Sequence, residues 1–176
     1  MLKRLTRSQD RRKPNRRSRD SGAAMIELAM TLGLLVTLLV GTVTAAIAFS
    51  QQNSIENAAR EGSRFAATYP DEINSTWFQN VIDVTRAAGV GDLDTTVPGQ
   101  FICVAWVSET GSPTSMRESG GVQTGPTPSS QCYPDGLGSN ESRVQVVTGR
   151  DSEIQAVFLS VDLELRGQAA ARYERG

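Results

Sequence analysis

Residues 28–49 read LAMTLGLLVTLLVGTVTAAIAF, twenty-two consecutive positions without a charged side chain. As an α-helix such a run rises about 33 Å, enough to cross a hydrocarbon core of about 30 Å. The charges on its two sides are unequal. Before Gly22 stand Lys3, Arg4, Arg7, Arg11, Arg12, Lys13, Arg16, Arg17 and Arg19 against only Asp10 and Asp20, giving +7, and the remainder of the 176-residue chain carries −8, for a net charge of −1. The positive-inside rule therefore predicts a single-pass protein whose N-terminus is cytoplasmic and whose C-terminal head is extracytoplasmic. The expected organisation is a basic leader over 1–22, a transmembrane helix over 23–49, a helical stem over 50–69 and an exported head over 70–176.

The basic run contains no aromatic residue and leads straight into the apolar span. That arrangement fits attraction to anionic inner-membrane lipids, not phosphate neutralisation along a nucleic acid, so no nucleic-acid partner is expected. Three fates for the span remain open at this point: a permanent anchor, a secretory signal cut after Ala46-Ile47-Ala48, or a leader removed upstream with the helix kept. The apolar run exceeds the 7–15 residues usual in a signal peptide.

Upstream cleavage is indicated by Gly22-Ala23-Ala24-Met25-Ile26-Glu27, where a glycine closes the basic leader and a carboxylate follows five residues later. A carboxylate entering a bilayer is costly, by about 2.5–3.5 kcal/mol at the centre and less near the interface, so it usually has a partner or a function. This pattern resembles the start of type IV pilins and their relatives, in which a membrane peptidase cuts after the glycine and the glutamate faces the new N-terminal amine of a neighbouring subunit. The next motif, Asn57-Ala58-Ala59-Arg60-Glu61-Gly62-Ser63-Arg64-Phe65-Ala66, follows the span without a break. Basic leader, Gly-Ala-Ala-x-x-Glu-x-Ala start, one span and this box together resemble the TadE-like family of pilus-assembly proteins, over roughly residues 16–69. Ser63 replaces a usual alanine, Leu28 stands where an aromatic is common, and Thr31-Leu32-Gly33 lacks a proline often found there.

The resemblance implies a non-enzymatic, pseudopilin-like subunit of a tight-adherence (Flp-type) pilus or a related secretion system. Gly22 and Ala23 would flank the processing site and Glu27 would serve assembly. The implied partners are a prepilin peptidase, other pilin or pseudopilin subunits, the pilus assembly platform and inner-membrane lipids.

Read physically, the box is helical, because Ile55, Ala58, Gly62, Phe65 and Tyr69 recur at spacings of three and four. Glu56, Arg60, Glu61 and Arg64 fall elsewhere on the helix, with Glu56 and Arg60 one turn apart. Ala58, Ala59, Arg60, Glu61, Gly62, Arg64 and Phe65 form the expected packing box. Small residues permit close helix approach, either between subunits or against the chain's own head. A continuous helix over 23–69 would extend about 70 Å, with Pro70 disfavouring helix at Tyr69.

The remaining chain predicts a small α+β head. A second helix is expected over Ser75–Ala88, capped by Ser75 and stopped by Gly89, with Trp77, Phe78, Val81, Ile82, Thr85 and Ala88 on its core side. Strands are expected over Gln100–Val107, over Arg143–Val147 and from Val157 onward. In the last, Val161, Leu163, Leu165, Gly167, Ala169, Ala171 and Tyr173 alternate with Asp162, Glu164, Arg166, Gln168 and Arg172. Residues 108–142, rich in Gly, Ser, Thr and Pro, are expected to form a long flexible loop.

Cys103 and Cys132 are the only cysteines, and in an oxidising exterior an even pair predicts a disulfide. Two thiols without any histidine are too few for a four-coordinate zinc site, so no metal is expected. The missing histidine also removes the usual general base for a Ser or Cys nucleophile, and no phosphate-binding glycine loop is present. No cofactor and no catalytic residue is expected. The competing readings are a signal-anchored or secreted binding module that uses the 108–142 loop, and an exported hydrolase built on carboxylates that spacing does not single out.

Overall fold

A computed structural model describes residues 17–68, 73–108, 113–128, 132, 142–156 and 159–172. The chain divides into two compact units, one ending at Val40 and one beginning at Gly41. Helix α1 (Arg17–Thr68) contributes to both. An antiparallel sheet follows, so the fold is α+β with one apolar N-terminal helix long enough to cross a membrane.

In the first unit α1 presents its apolar side chains outward, Met30 at 74 % exposure and Leu39 at 65 % among them. The hydroxyls of Thr31 and Thr37 are satisfied within the helix. The Thr31 hydroxyl donates to the carbonyls of Glu27 and Leu28, both at 3.0 Å, and the Thr37 hydroxyl donates to Gly33 O at 2.8 Å. Back-bonding of this kind lets threonine face an apolar medium without an orphaned hydroxyl.

The second unit joins residues 41–68 of α1 to helix α2 (Ser75–Ala88) and five strands: β1 (Gln100–Val107), β2 (Thr114–Ser119), β3 (Val122–Pro128), β4 (Arg143–Ala156) and β5 (Leu159–Arg172). The sheet order is β3-β2-β1-β4-β5, antiparallel throughout. The cap of α2 lies one residue earlier than Ser75. Asn74 has extended backbone angles, and its side-chain oxygen accepts from Trp77 N at 3.0 Å, which satisfies one of the helix's free N-terminal donors.

One sheet face supplies Ile102, Val104, Met116, Val144 and Val146 to the main core, where they meet Ile55, Ala58, Ala59 and Ala66 of α1 and Trp77, Phe78, Val81 and Ile82 of α2. Trp77 and Phe78 are both buried and pack edge to face, ring centroids 4.9 Å apart. The opposite sheet face holds a smaller cluster of Phe101, Cys103, Ala105, Val107 and Val147 with Cys132. The Arg117 guanidinium stacks 4.1 Å from the centroid of the Phe101 ring.

Strand β1 has the bounds that its β-branched and aromatic composition predicts. The stretch expected to be irregular over 108–142 does not remain so, because β2 and β3 form a hairpin within it. Its turn is Gly120-Gly121, at φ 61° and 73°, a region that glycine enters without strain and that tight hairpin turns require. Pro126 and Pro128 are tolerated because β3 is an edge strand. Strand β4 also runs on past Val147 to Ala156, where it is paired with β5. Tyr69, Pro70, Tyr173 and most of the leader lie outside the described residues.

Candidate functional site

The sequence features that point to assembly fall on α1, and the structure gives them different surroundings. Ala58 and Ala59 are fully buried, Ala66 likewise, and Ser63 is 4 % exposed. Gly62 is buried beside α2, where a Cβ would overlap the Thr85 hydroxyl oxygen. Phe65 is partly buried against the same core. The small residues of the box thus bring the chain's own helix α2 and sheet close to α1.

Arg60, Glu61 and Arg64 remain exposed on the other side of the stem. Arg60 meets Glu56 at 3.3 Å, with 66 % of its side chain exposed, so this pair contributes no more than about 0.5 kcal/mol. Hydrogen bonds fix the height of the head on the stem. The Thr148 hydroxyl donates to Ile55 O at 3.0 Å, Gln52 Nε2 donates to Arg166 O at 2.9 Å, and Ser54 Oγ donates to Gly89 O at 3.1 Å. The Ser152 hydroxyl donates to Gln51 Oε1 at 3.2 Å. Gly167 permits the crossing, since a Cβ there would lie 2.6 Å from both Ile55 O and Thr148 Oγ1.

Gly22, Ala23 and Glu27 lie in the other unit. All three are exposed, and Gly22 has open space where a side chain would project. The Glu27 carboxylate meets no hydrogen-bond or ion-pair partner among the described residues.

A polar cluster that sequence reasoning missed locks the β2–β3 hairpin to α2. Glu118 on β2 is 5 % exposed, and one of its carboxylate oxygens takes hydrogen bonds from the Arg86 guanidinium and the Thr95 hydroxyl. The other accepts from Gln123 Nε2 at 2.8 Å. Arg86 also donates to Asp83 at 2.7 Å, and Gly121 N donates to Thr95 O at 2.7 Å. Burial pushes the Glu118 carboxyl up, but hydrogen bonds from Thr95, Gln123 and Arg86, with the guanidinium charge, outweigh it and hold its pKa below the ordinary carboxylate value. Burial likewise works against the Arg86 charge, and contact with Glu118 and Asp83 reverses the balance and raises its pKa. The exposed Asp94 carboxyl is lowered by the hydroxyl and backbone N–H of Thr96, against a smaller opposing effect of burial. The only sequence signal for the cluster was a charged residue inside a stretch otherwise read as loop.

Cys103 and Cys132 form a disulfide with a Cα–Cα distance of 5.4 Å, which holds residue 132 against β1. An open groove of about 530 Å³ is lined by Asp151, Ser152, Glu153, Asp162, Leu163 and Glu164. Among the described residues no three His, Cys, Asp or Glu side chains are grouped to hold a metal ion.

Gly22, Glu27, the outward apolar surface and the buried small-residue box follow one another along a single helix. Residues 22–64 match the TadE-like protein family. The TadE-like segment therefore begins at the glycine that closes the leader and ends inside the box. TadE-like proteins are associated with the tight-adherence (Tad) pilus, and the family is not known as enzymatic. The apolar helix makes a single-pass membrane protein the matching arrangement. No curated protein and no solved structure matches the chain.

Proposed function

We propose that this chain is a minor, pseudopilin-like subunit of a tight-adherence pilus or a related secretion system. Its leader is inside the cell, the prepilin peptidase cuts between Gly22 and Ala23, and α1 is kept in the membrane for lateral packing with other pilin or pseudopilin subunits and the assembly platform. The observation that carries this reading is the TadE-like match itself, which starts at Gly22, takes in Glu27 and the span, and ends inside the box.

The proposed division of labour follows from which parts of α1 are covered. The box is occupied by the chain's own head, so the lateral contacts are assigned to the exposed apolar stretch that bears Glu27. In that setting the carboxylate acts through the N-terminal amine of a neighbouring subunit. A buried charge pair of this kind fixes register even when it adds little net stability.

The test is Glu27→Ala in the producing bacterium, reading membrane insertion and pilus production separately. Normal insertion with reduced piliation is expected, and Glu27→Asp should restore part of it. Undiminished piliation in Glu27→Ala would remove the assembly role of the carboxylate.

A further inference from the structure

Strands β4 and β5 outrun the rest of the sheet. The pairing of β4 with β1 ends at Arg150, whereas its pairing with β5 continues without a register break to Ala156 opposite Leu159. Beyond Asp151, whose N–H still donates to Gly99 O at 3.1 Å, the two strands therefore form a two-stranded ribbon. The ribbon has unlike faces. Asp151 lies opposite Glu164 and Glu153 opposite Asp162, so four carboxylates share one face. Leu163 lies opposite Ser152 on the other face, and Val161 follows two residues along on that same face.

The contacts with α1 give this ribbon a direction. Thr148 reaches Ile55, and four residues further along β4 Ser152 reaches Gln51, so the ribbon advances toward the start of α1 as it leaves the sheet. Gln51 stands two residues after Phe49, the last residue of the apolar run before Ser50-Gln51-Gln52-Asn53, and Phe49 is 69 % exposed. Leu163 is thus placed at the height where α1 leaves its apolar stretch, and Val161 lies about 7 Å further along the strand. Both side chains remain exposed, at 38 % and 40 %, although their face is the one directed to α1.

We propose that this ribbon is a second membrane contact: Val161 and Leu163 rest on the outer surface of the lipid bilayer beside Phe49, with the four carboxylates turned to water. The proposal rests on the reading that α1 crosses the membrane and that Phe49 marks its outer end. The chemistry is that of an amphipathic element lying in the interfacial plane, apolar on one side and charged on the other. Keeping the carboxylates on the far face avoids their desolvation. The consequence is a head held at a fixed tilt on the membrane by two points, the stem and the ribbon.

The test uses the full chain in vesicles of phosphatidylethanolamine and phosphatidylglycerol that contain a doxyl-labelled phosphatidylcholine. Single cysteines replace Leu38, Val161, Asp162, Leu163 or Glu164, and each carries an environment-sensitive fluorophore; the native disulfide leaves no other thiol to react. The expected result is loss of fluorescence to the doxyl lipid at 38, 161 and 163, with 162 and 164 unquenched. Quenching at 38 with none at 161 or 163, or equal quenching at all four ribbon positions, would overturn the ribbon contact alone. Lack of quenching at 38 would overturn the membrane reading beneath it. Val161→Ser/Leu163→Ser is the second variant: with α1 intact, loss of head protection from an added protease in vesicles is expected, and unchanged protection counts against the contact.

Discussion

Replacing Gly62 by alanine sets two magnitudes against each other. In an isolated helix the change is favourable by about 1 kcal/mol, because glycine has more backbone freedom to lose. In this protein the new methyl group would overlap the Thr85 hydroxyl, and forcing a carbon into a packed contact costs about 1–3 kcal/mol. The expected net effect is a loss of stability of up to about 2 kcal/mol. Thr85→Ala removes the obstructing oxygen, whose own hydrogen bond among the described residues goes to Val81 O one turn back in α2. The double variant should therefore be more stable than the two single losses predict, with a coupling of at least about 1 kcal/mol. Urea titration of the detergent-solubilised chain provides the assay, followed by tryptophan fluorescence, to which Trp77 in the same core and Trp106 packed against it both contribute. If Gly62→Ala stabilises by the helix increment and shows no coupling to Thr85, the close docking of α2 on the stem is refuted.

The Glu118 cluster predicts acid lability. A carboxylate whose native pKa is depressed adds stability that is fully present above its unfolded value and is lost as pH falls through the lower native value. Unfolding midpoints should therefore fall as pH drops below the ordinary carboxylate range, and Glu118→Gln should flatten that limb while lowering stability at neutral pH. The disulfide closes a loop of sequence separation 29, so Cys103→Ser/Cys132→Ser should cost about 3–4 kcal/mol in the chain-entropy account, read as a lower urea midpoint that added reductant does not change further. Gly167→Val should weaken docking of β5 on α1, seen as faster proteolysis of the head, because the position has no room beside Ile55 O.

What could be read in advance follows from how local each signal was. The apolar run of α1, the core side of α2 and the β-branched composition of β1 each declare themselves within a few residues. The alternation in β5 was equally plain, and from Leu165 to Ala171 its odd-numbered residues do turn toward the core. It gave no warning that Val161 and Leu163 would stay exposed, since that depends on β4 and β5 outrunning β1. The β2–β3 hairpin was hidden because it is held by pairing to β1 and by the Glu118 cluster, not by apolar content. Arg86 and Thr95 stand 32 and 23 residues from Glu118, and no local pattern links them. The box left two partners possible for its small residues. Which one covers Gly62 was decided by tertiary packing against Thr85, beyond the reach of helical spacing.

In the proposed route α1 is a pilin-type helix freed by cleavage at Gly22. Its most direct test is the N-terminal residue of the protein, determined by mass spectrometry on native membranes from cells with and without the prepilin peptidase. A chain beginning at Ala23 only when the peptidase is present is expected; a chain that keeps its leader in both strains, or one that begins at Phe49, would overturn that route.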